Sequence, residues 1–209
     1  MSTDVFGQLT SAKRPDYCHR LFQHACEYCP GAAQSFVLAF TPTAAFPPTD
    51  VQLSFDCTNS NPAPVNSGLN TLLLSASNTP VPDIVALAAT ITNDGIVNVP
   101  GTNGTGAFSV ATVNVGASSS IIASADTGAA ILPVNVFLCE TNPATGQCVS
   151  GIGPSVSTTT NAGATPTFGI FVQGNGNVAF DPAGNRIFVR FKDAGNITRG
   201  STSVAVRTQ

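Results

Sequence analysis

The amino-acid sequence predicts an all-β protein built from antiparallel β-sandwiches, and three observations support this. From residue 34 onward, short segments alternate between apolar and polar residues, which is the period of a half-buried strand. Gly, Pro, Asn and Asp separate these segments at short intervals, as they do between the strands of sandwiches. Apolar residues make up 43% of the chain, which is enough to form a core.

Residues 1–33 are predicted to form an atypical segment that is separate from the body of the protein. They contain both histidines, both tyrosines and half of the six cysteines. The spacing of apolar residues from 21 to 29 is compatible with a short helix, which Pro30 and Gly31 would end.

Three segments of the body have the clearest strand pattern, with apolar residues at every second position. They are 51–55, 168–172 and 187–191. In the last of them, Ile187, Val189 and Phe191 form one face, which we expect to be buried. Arg190 and Lys192 lie on the opposite face, which we expect to remain in solvent.

Five of the eight basic residues lie near the C-terminus, on a predicted final hairpin. They are Arg186, Arg190, Lys192, Arg199 and Arg207. Charged side chains on an edge strand prevent edge-to-edge aggregation, and this is one explanation of the cluster. The other explanation is a docking face for an acidic partner, such as a neighbouring module.

The body is predicted to contain two copies of one unit, residues 34–116 and 117–209. In each half a strand, an Asn-Pro-Ala turn, a second strand and a hairpin follow one another in the same order. Turn residues also recur by chance in β-proteins. The sequence is therefore compatible with two sandwiches in tandem and with one larger sandwich made from both halves.

Four segments resemble the tandem immunoglobulin-like repeats of bacterial secreted and surface proteins. They are FSVATVNVG (108–116), LPV (132–134), CETNPATGQC (139–148) and RIFVRFKD (186–193). The resemblance implies two immunoglobulin-like antiparallel β-sandwiches in tandem over residues 34–208. It also implies a spacer, adhesive or accessory role, with neighbouring repeat modules or a surface ligand as partners, although a fold by itself does not determine function.

The chain has no lysine or arginine between Arg20 and Arg186, where eight carboxylates lie, and only 9% of its residues are charged. A nucleic-acid-binding surface needs a field of basic residues, so we exclude that class for this region. The low charge and the Ser/Thr-rich segments predict a secreted or cell-surface protein. No signal peptide is visible in the first 30 residues, and the longest apolar run is too short for membrane insertion.

Cys139 and Cys148 bracket a loop of turn-forming residues and are predicted to form a structural disulfide that closes a hairpin. The alternative is a redox-active pair. The wide spacing and the lack of basic neighbours that would stabilise a thiolate argue against it. A structural disulfide is typical of oxidising compartments.

The N-terminal segment contains a candidate zinc site. Its ligands would be Cys18, His24, Cys26 and Cys29, because thiolate and imidazole groups at this spacing bind zinc. Disulfides within this segment, or with Cys57, are the other interpretation.

A candidate calcium site lies in the body, at Asn175, Asn177 and Asp181. Calcium binds carboxylate and amide oxygens, but Asn and Asp are also the common turn residues between strands. No resident cofactor is expected, and calcium is a better candidate than zinc if a metal is bound.

Two functions from different classes are compatible with the sequence. The first is an extracellular structural, adhesive or accessory module without catalysis of its own. The second is a small metal-dependent hydrolase of an ester, lactone or glycan bond, with calcium or zinc activating water. A serine-hydrolase triad within residues 34–209 is excluded, because both histidines lie in residues 1–33.

Overall fold

The computed structural model describes residues 10–11, 36–54 and 61–209, and within these ranges it contains thirteen β-strands and no helix. In chain order the strands are β1 (Thr10–Ser11), β2 (Phe36–Val37), β3 (Phe46–Gln52), β4 (Thr71–Ala76), β5 (Ile84–Thr90), β6 (Ile96–Val99), β7 (Thr105–Asn114), β8 (Ser119–Asp126), β9 (Val134–Thr141), β10 (Ser155–Thr160), β11 (Thr167–Gly174), β12 (Arg186–Asp193) and β13 (Thr198–Thr208). The predicted all-β class is confirmed. In the described ranges there is no helix long and apolar enough to cross a membrane.

Two sheets form a β-sandwich. The larger sheet has the strand order β10-β8-β12-β13-β6, and the smaller has the order β5-β7-β11-β9. Neighbouring strands of the sandwich are antiparallel except β13 and β6, which run parallel. Two small sheets, β1-β2 and β3-β4, lie outside the sandwich.

The core lies between the two large sheets and is built from the inward-facing residues of each strand. Val110 on β7 and Ile170 on β11 are fully buried, as are Ile187 and Val189 on β12. Phe191 is 1% exposed, so the predicted buried face of segment 187–191 is confirmed. Full burial of one such phenylalanine contributes about 1.5–3 kcal/mol to stability.

The strand pairing corrects the predicted division of the body into two units, 34–116 and 117–209. Strand β7 from the first predicted half pairs with β11 from the second, and β6 pairs with β13. Strands β5 to β13 therefore form one sandwich made from both predicted halves, and they do not form two sandwiches in tandem. Alternation indicates which residues of a strand face a core, whereas the pairing of distant strands depends on how their apolar faces fit together.

The sequence suggested that the basic residues of the last hairpin protect a sheet edge. The structure shows that they do not. Strands β12 and β13 are interior strands of the five-stranded sheet, whose edges are β10 and β6. Arg190 and Lys192 lie on the outer face of this sheet and are partly exposed. Arg190 forms an ion pair with Asp126, which is 64 residues earlier in the chain.

Candidate functional site

The turn before β4 contacts the outer face of the five-stranded sheet at Phe188. Gly68 and Gly128 lie against opposite edges of the Phe188 ring, and a Cβ atom added to either glycine would lie 2.7 Å from it. Both glycines also have positive φ values, 75° and 63°. An L-residue is strained in that conformation, so glycine is required at both positions. This contact places the β3-β4 hairpin beside the sandwich.

A groove of about 460 Å³ lies between the β3-β4 hairpin and the sandwich. It is lined by residues 72–75 of β4, by residues 84–86 of β5 and by residues 198–201 at the start of β13. The leucines of β4, at positions 72, 73 and 74, are half-buried, so one wall is apolar. This volume lies within the range of about 300–1,000 Å³ that is usual for ligand sites. We refer to it as the β4-β5 groove.

Arg199 in the β4-β5 groove is held by Asp193. The guanidinium Nε atom lies 2.7 Å from Asp193 Oδ2, and both side chains are largely buried. Burial alone would raise the pKa of Asp193, but hydrogen bonds from the Ile197 N–H and Arg199, together with the charge of Arg199, hold that pKa below its ordinary value. The arginine charge is therefore neutralised before any ligand arrives.

Arg190 lines a smaller cavity of about 250 Å³, next to the β3-β4 hairpin. Its Nε atom lies 2.7 Å from Asp126 Oδ2, and its guanidinium carbon lies 5.0 Å from the centre of the Phe188 ring. The guanidinium is thus fixed by both an ion pair and a cation–π contact, which are each weak at a partly exposed position.

In the part of the chain that the structure describes, two carboxylates that line the β4-β5 groove have no basic partner. Asp50 accepts a hydrogen bond from the Ser67 hydroxyl, and the side chain of Asp83 is exposed. Within the described ranges, the two ion pairs are Arg190–Asp126 and Arg199–Asp193. Among the described residues, the groove therefore has an uncompensated negative charge.

The outer face of the four-stranded sheet is the second notable surface. Because side chains alternate along a strand and residues such as Phe108 and Val110 point inward, the odd-numbered residues of these strands point outward. The outward positions on the four strands are Val85, Leu87, Ala89, Thr105, Ala107, Ser109, Ala111, Val113, Asn135, Phe137, Cys139, Thr141, Thr167, Gly169, Phe171 and Gln173. None of them is charged. Leu87 is 71% exposed, and Ile91, just beyond β5, is 86% exposed. We call this surface the apolar face.

The predicted disulfide is present at one side of the apolar face. Cys139 on β9 is bonded to Cys148, and their Cα atoms are 5.6 Å apart. The loop between them is a compact turn, in which the Asn142 N–H donates to the Gln147 carbonyl and the Gly146 N–H donates to the Asn142 carbonyl. The disulfide therefore fixes this loop to the end of β9.

We expect Cys139 and Cys148 to resist alkylation in folded protein until a reductant is added. Replacing both by serine should lower the free energy of unfolding by about 2–3 kcal/mol, because the short loop is no longer closed in the unfolded chain. Peptide mapping and urea denaturation measure the two effects, with the exposed loop residue Thr145 changed to Ala as the control. Free thiols at both positions without reduction would contradict the assignment.

The residues of the candidate calcium site form hydrogen bonds with other groups of the protein. The Asp181 carboxylate accepts a hydrogen bond from the Gly184 N–H, and the amide oxygen of Asn177 accepts one from the Thr208 hydroxyl. The Asn175 N–H donates to the Pro133 carbonyl. Within the described ranges, no three His, Cys, Asp or Glu residues lie close enough to hold a metal ion. Calcium binding here remains a prediction.

The candidate zinc ligands Cys18, His24, Cys26 and Cys29 lie outside the described residues, as does Cys57. Zinc binding in the N-terminal segment therefore also remains a prediction.

Sequence reasoning missed the residues that build the groove. Arg190 pairs with Asp126, and the Phe188 ring packs between Gly68 and Gly128. Both contacts join positions that are far apart in the chain. Nothing in the local pattern distinguishes Gly68 or Gly128 from an ordinary turn glycine. The charge-free outward positions of β5 could have been recognised, because the strand has no polar residue before Thr90.

The described part of the chain is thus a nine-stranded β-sandwich with a flanking hairpin and a groove between them. No protein-family model matches the chain, and no curated protein matches it.

Several solved structures are similar to parts of it. One is AvmM, which catalyses macrocyclisation in alchivemycin A biosynthesis, with 13% identity over 59% of this chain and 89% of that chain and a TM-score of 0.35. Another is the N-terminal domain of PorA, with 11% identity over 60% of this chain and 98% of that chain and a TM-score of 0.30. A third is a β-glucosidase from Listeria innocua, with 10% identity over 66% of this chain and 17% of that chain and a TM-score of 0.28. Similarity at this level carries no conclusion about function.

Proposed function

We propose that the protein is an extracellular structural, adhesive or accessory β-sandwich module of a bacterial secreted or surface protein, without catalysis of its own. The apolar face is the observation that supports this most directly. Val85, Leu87 and the adjacent Ile91 are large apolar side chains exposed next to one another, and exposed apolar clusters of this kind mark sites of interaction with other molecules. The disulfide is compatible with an extracellular location.

The apolar face is suited to contact because it is both rigid and free of charge. Its strands are paired in continuous register, and β7 and β11 are held on both sides by neighbours. Side chains such as Leu87 and Ile91 can be covered without removing an ion from water, which would cost several kcal/mol.

Two carboxylates of the sandwich, Asp94 and Asp193, stabilise the fold. Asp94 accepts hydrogen bonds from the Thr92 hydroxyl and the Ile96 N–H, and these lower its pKa. Asp193 likewise organises the turn before β13 and pairs with Arg199. These carboxylates are used as turn acceptors, which is a structural role.

The proposal is tested by adsorption to an octyl-coated sensor surface. We expect the wild-type chain to adsorb saturably and the double variant Leu87→Glu/Ile91→Glu to adsorb several-fold more weakly, because a carboxylate must be desolvated at each site. The matched control is Ser157→Glu/Thr159→Glu, at two exposed positions of β10 on the other sheet.

Two outcomes would overturn the proposal. One is equal adsorption of the wild type and the Leu87→Glu/Ile91→Glu variant. The other is turnover of ester, lactone or glycan substrates that a chelator abolishes, which would favour the metal-dependent hydrolase with calcium or zinc.

A further inference from the structure

Two strands beside the β4-β5 groove have a free edge. Strand β5 pairs with β7 on one side, and β4 pairs with β3 on one side. Within the described ranges, neither strand forms a ladder on its other side. An unpaired strand edge presents backbone N–H and C=O groups that can pair with another extended chain.

The direction of the β5 backbone groups follows from its hydrogen bonds. The carbonyl of Asp83 accepts from the Val115 N–H at 2.8 Å, and that of Val81 accepts from the Ala117 N–H at 2.9 Å. In an antiparallel pair the bonding direction alternates, so the odd-numbered residues bond toward β7. The N–H and C=O groups of Ile84, Ala86 and Ala88 therefore point to the free edge.

One end of this edge is already covered. Gly200 of β13 packs against the carbonyl oxygen of Ile84 so closely that a Cβ atom would not fit. This contact confirms that the Ile84 carbonyl points away from β7. The backbone of Ala86 lies next along the edge, where residues 84–86 line the groove.

Beyond the part that Gly200 covers, strand β5 itself has no charge, proline or bulge to protect its edge. It contains no charged residue and no proline, and its register with β7 continues without a bulge from Ile84 to Thr90. Natural proteins usually place charges, prolines or bulges on such edges to prevent pairing with other chains. Within the described ranges, the part of this edge beyond Ile84 therefore has no strand paired to it and can accept one.

The charge of the groove restricts the occupant. Asp50 and Asp83 line it without basic partners among residues 36–54 and 61–209, while Arg199 is neutralised by Asp193. The half-buried leucines of β4 provide an apolar wall opposite β5. An occupant that fits has an extended backbone, apolar side chains at alternate positions and a positive charge.

We propose that the β4-β5 groove binds an extended peptide segment of a partner protein that carries lysine or arginine, and that this segment adds as a strand to β5. Backbone hydrogen bonds to Ala86 would supply affinity, and the leucine wall and the two carboxylates would supply selectivity. This inference rests on the proposed function as an interaction module, because it names the class of partner.

The test uses the full chain and three kinds of fluorescein-labelled octapeptide in fluorescence anisotropy. The first alternates valine and threonine and has a lysine at each end. The second has glutamate in place of both lysines. The third is the first peptide with N-methyl groups on alternate residues, prepared in both registers, so that one set of N–H donors is removed at a time.

We expect saturable binding of the lysine peptide and at least about tenfold weaker binding of the glutamate peptide. N-methylation in one register should abolish binding, whereas methylation in the other should have little effect. Equal binding of the lysine and glutamate peptides, or binding insensitive to methylation in either register, would overturn the proposal. These comparisons do not depend on the folding of a variant.

Two variants separate this inference from the proposed function. Ala86→Pro removes an outward N–H without breaking the ladder to β7, so it should weaken peptide binding about tenfold or more while adsorption through the apolar face is retained. Leu87→Glu should reduce adsorption and leave peptide binding unchanged. Peptide binding unaffected by Ala86→Pro, in protein that still unfolds cooperatively, would reject the groove but not the apolar face.

A second copy of the chain is the competing occupant. Concentration-dependent dimerisation in sedimentation velocity that Ala86→Pro abolishes, without any binding of the lysine peptide, would assign the β5 edge to self-association and overturn the peptide proposal.

Discussion

Replacing Phe191 by alanine is expected to lower the free energy of unfolding by about 3–5 kcal/mol, the range for a large aromatic side chain removed from a packed interior. Phe191 is 1% exposed and lies on β12, in the middle of the five-stranded sheet. Its ring centre lies 5.4 Å from that of Phe168 on the opposite sheet, in a tilted arrangement. The cavity left by the truncation would therefore lie between the two sheets, where neither can move without breaking strand pairs.

The control for Phe191→Ala is the outer face of the same strand. Arg190→Gln and Lys192→Gln should each cost less than about 1 kcal/mol, because partly exposed ion pairs and charges contribute little. The Arg190–Asp126 pair, with side chains 31% and 45% exposed, supplies the small effect at Arg190. Urea denaturation of the three variants gives the comparison. A Phe191→Ala protein as stable as the parent would show that this face of β12 does not form the core.

Replacing Asn114 by alanine is expected to cost roughly 3–5 kcal/mol, because several buried backbone groups lose their partner at once. Asn114 is fully buried at the end of β7. Its amide oxygen accepts from the Asp83 N–H at 3.1 Å and from the Gly116 N–H at 3.0 Å. Its amide nitrogen donates to the carbonyls of Ala117 at 2.8 Å and Thr160 at 3.2 Å. One side chain thereby links the start of β5, the β7-β8 connection and the end of β10.

Two further variants make this test specific. Asn114→Asp keeps the shape and the acceptor oxygen but places a carboxylate oxygen against two carbonyls, so it should be at least as destabilising as alanine at neutral pH. Asn177→Ala removes an exposed amide that accepts one bond from Thr208, and it should cost less than about 0.5 kcal/mol. Thermal unfolding of all three proteins measures the ranking. Equal stability of Asn114→Ala and Asn177→Ala would contradict the role of Asn114.

Local patterns predicted the properties that depend on one strand or one turn. Alternation over 187–191 identified a buried face and an outer face. Ile187, Val189 and Phe191 are buried in the structure, and Arg190 and Lys192 on the outer face are partly exposed. The disulfide was predictable because its two cysteines flank a short turn-forming loop. The role of Asn114 was not recognised, although it lies at an inward position of β7 where an apolar residue is usual.

The candidate site was not predictable, because its parts come from distant segments. The β4-β5 groove combines residues near positions 50, 72, 85 and 199, and no short-range pattern links them. The predicted edge role of the basic hairpin was wrong for the same reason. Whether a strand is at an edge depends on its neighbours in the sheet, and β12 has β8 and β13 beside it.

The sequence by itself determined that this protein is all-β, which residues of its clearest strands face a core, and that its cysteines at 139 and 148 are bonded. These follow from the two-residue period of a strand and from local loop closure, which act within a few residues. The tertiary structure alone decided that both halves form one sandwich, with β6 parallel to β13 and, among the described strands, β5 at the edge of its sheet beside a groove. Those features depend on which apolar faces cover one another over more than 100 residues, and backbone hydrogen bonding is the same for every possible pairing.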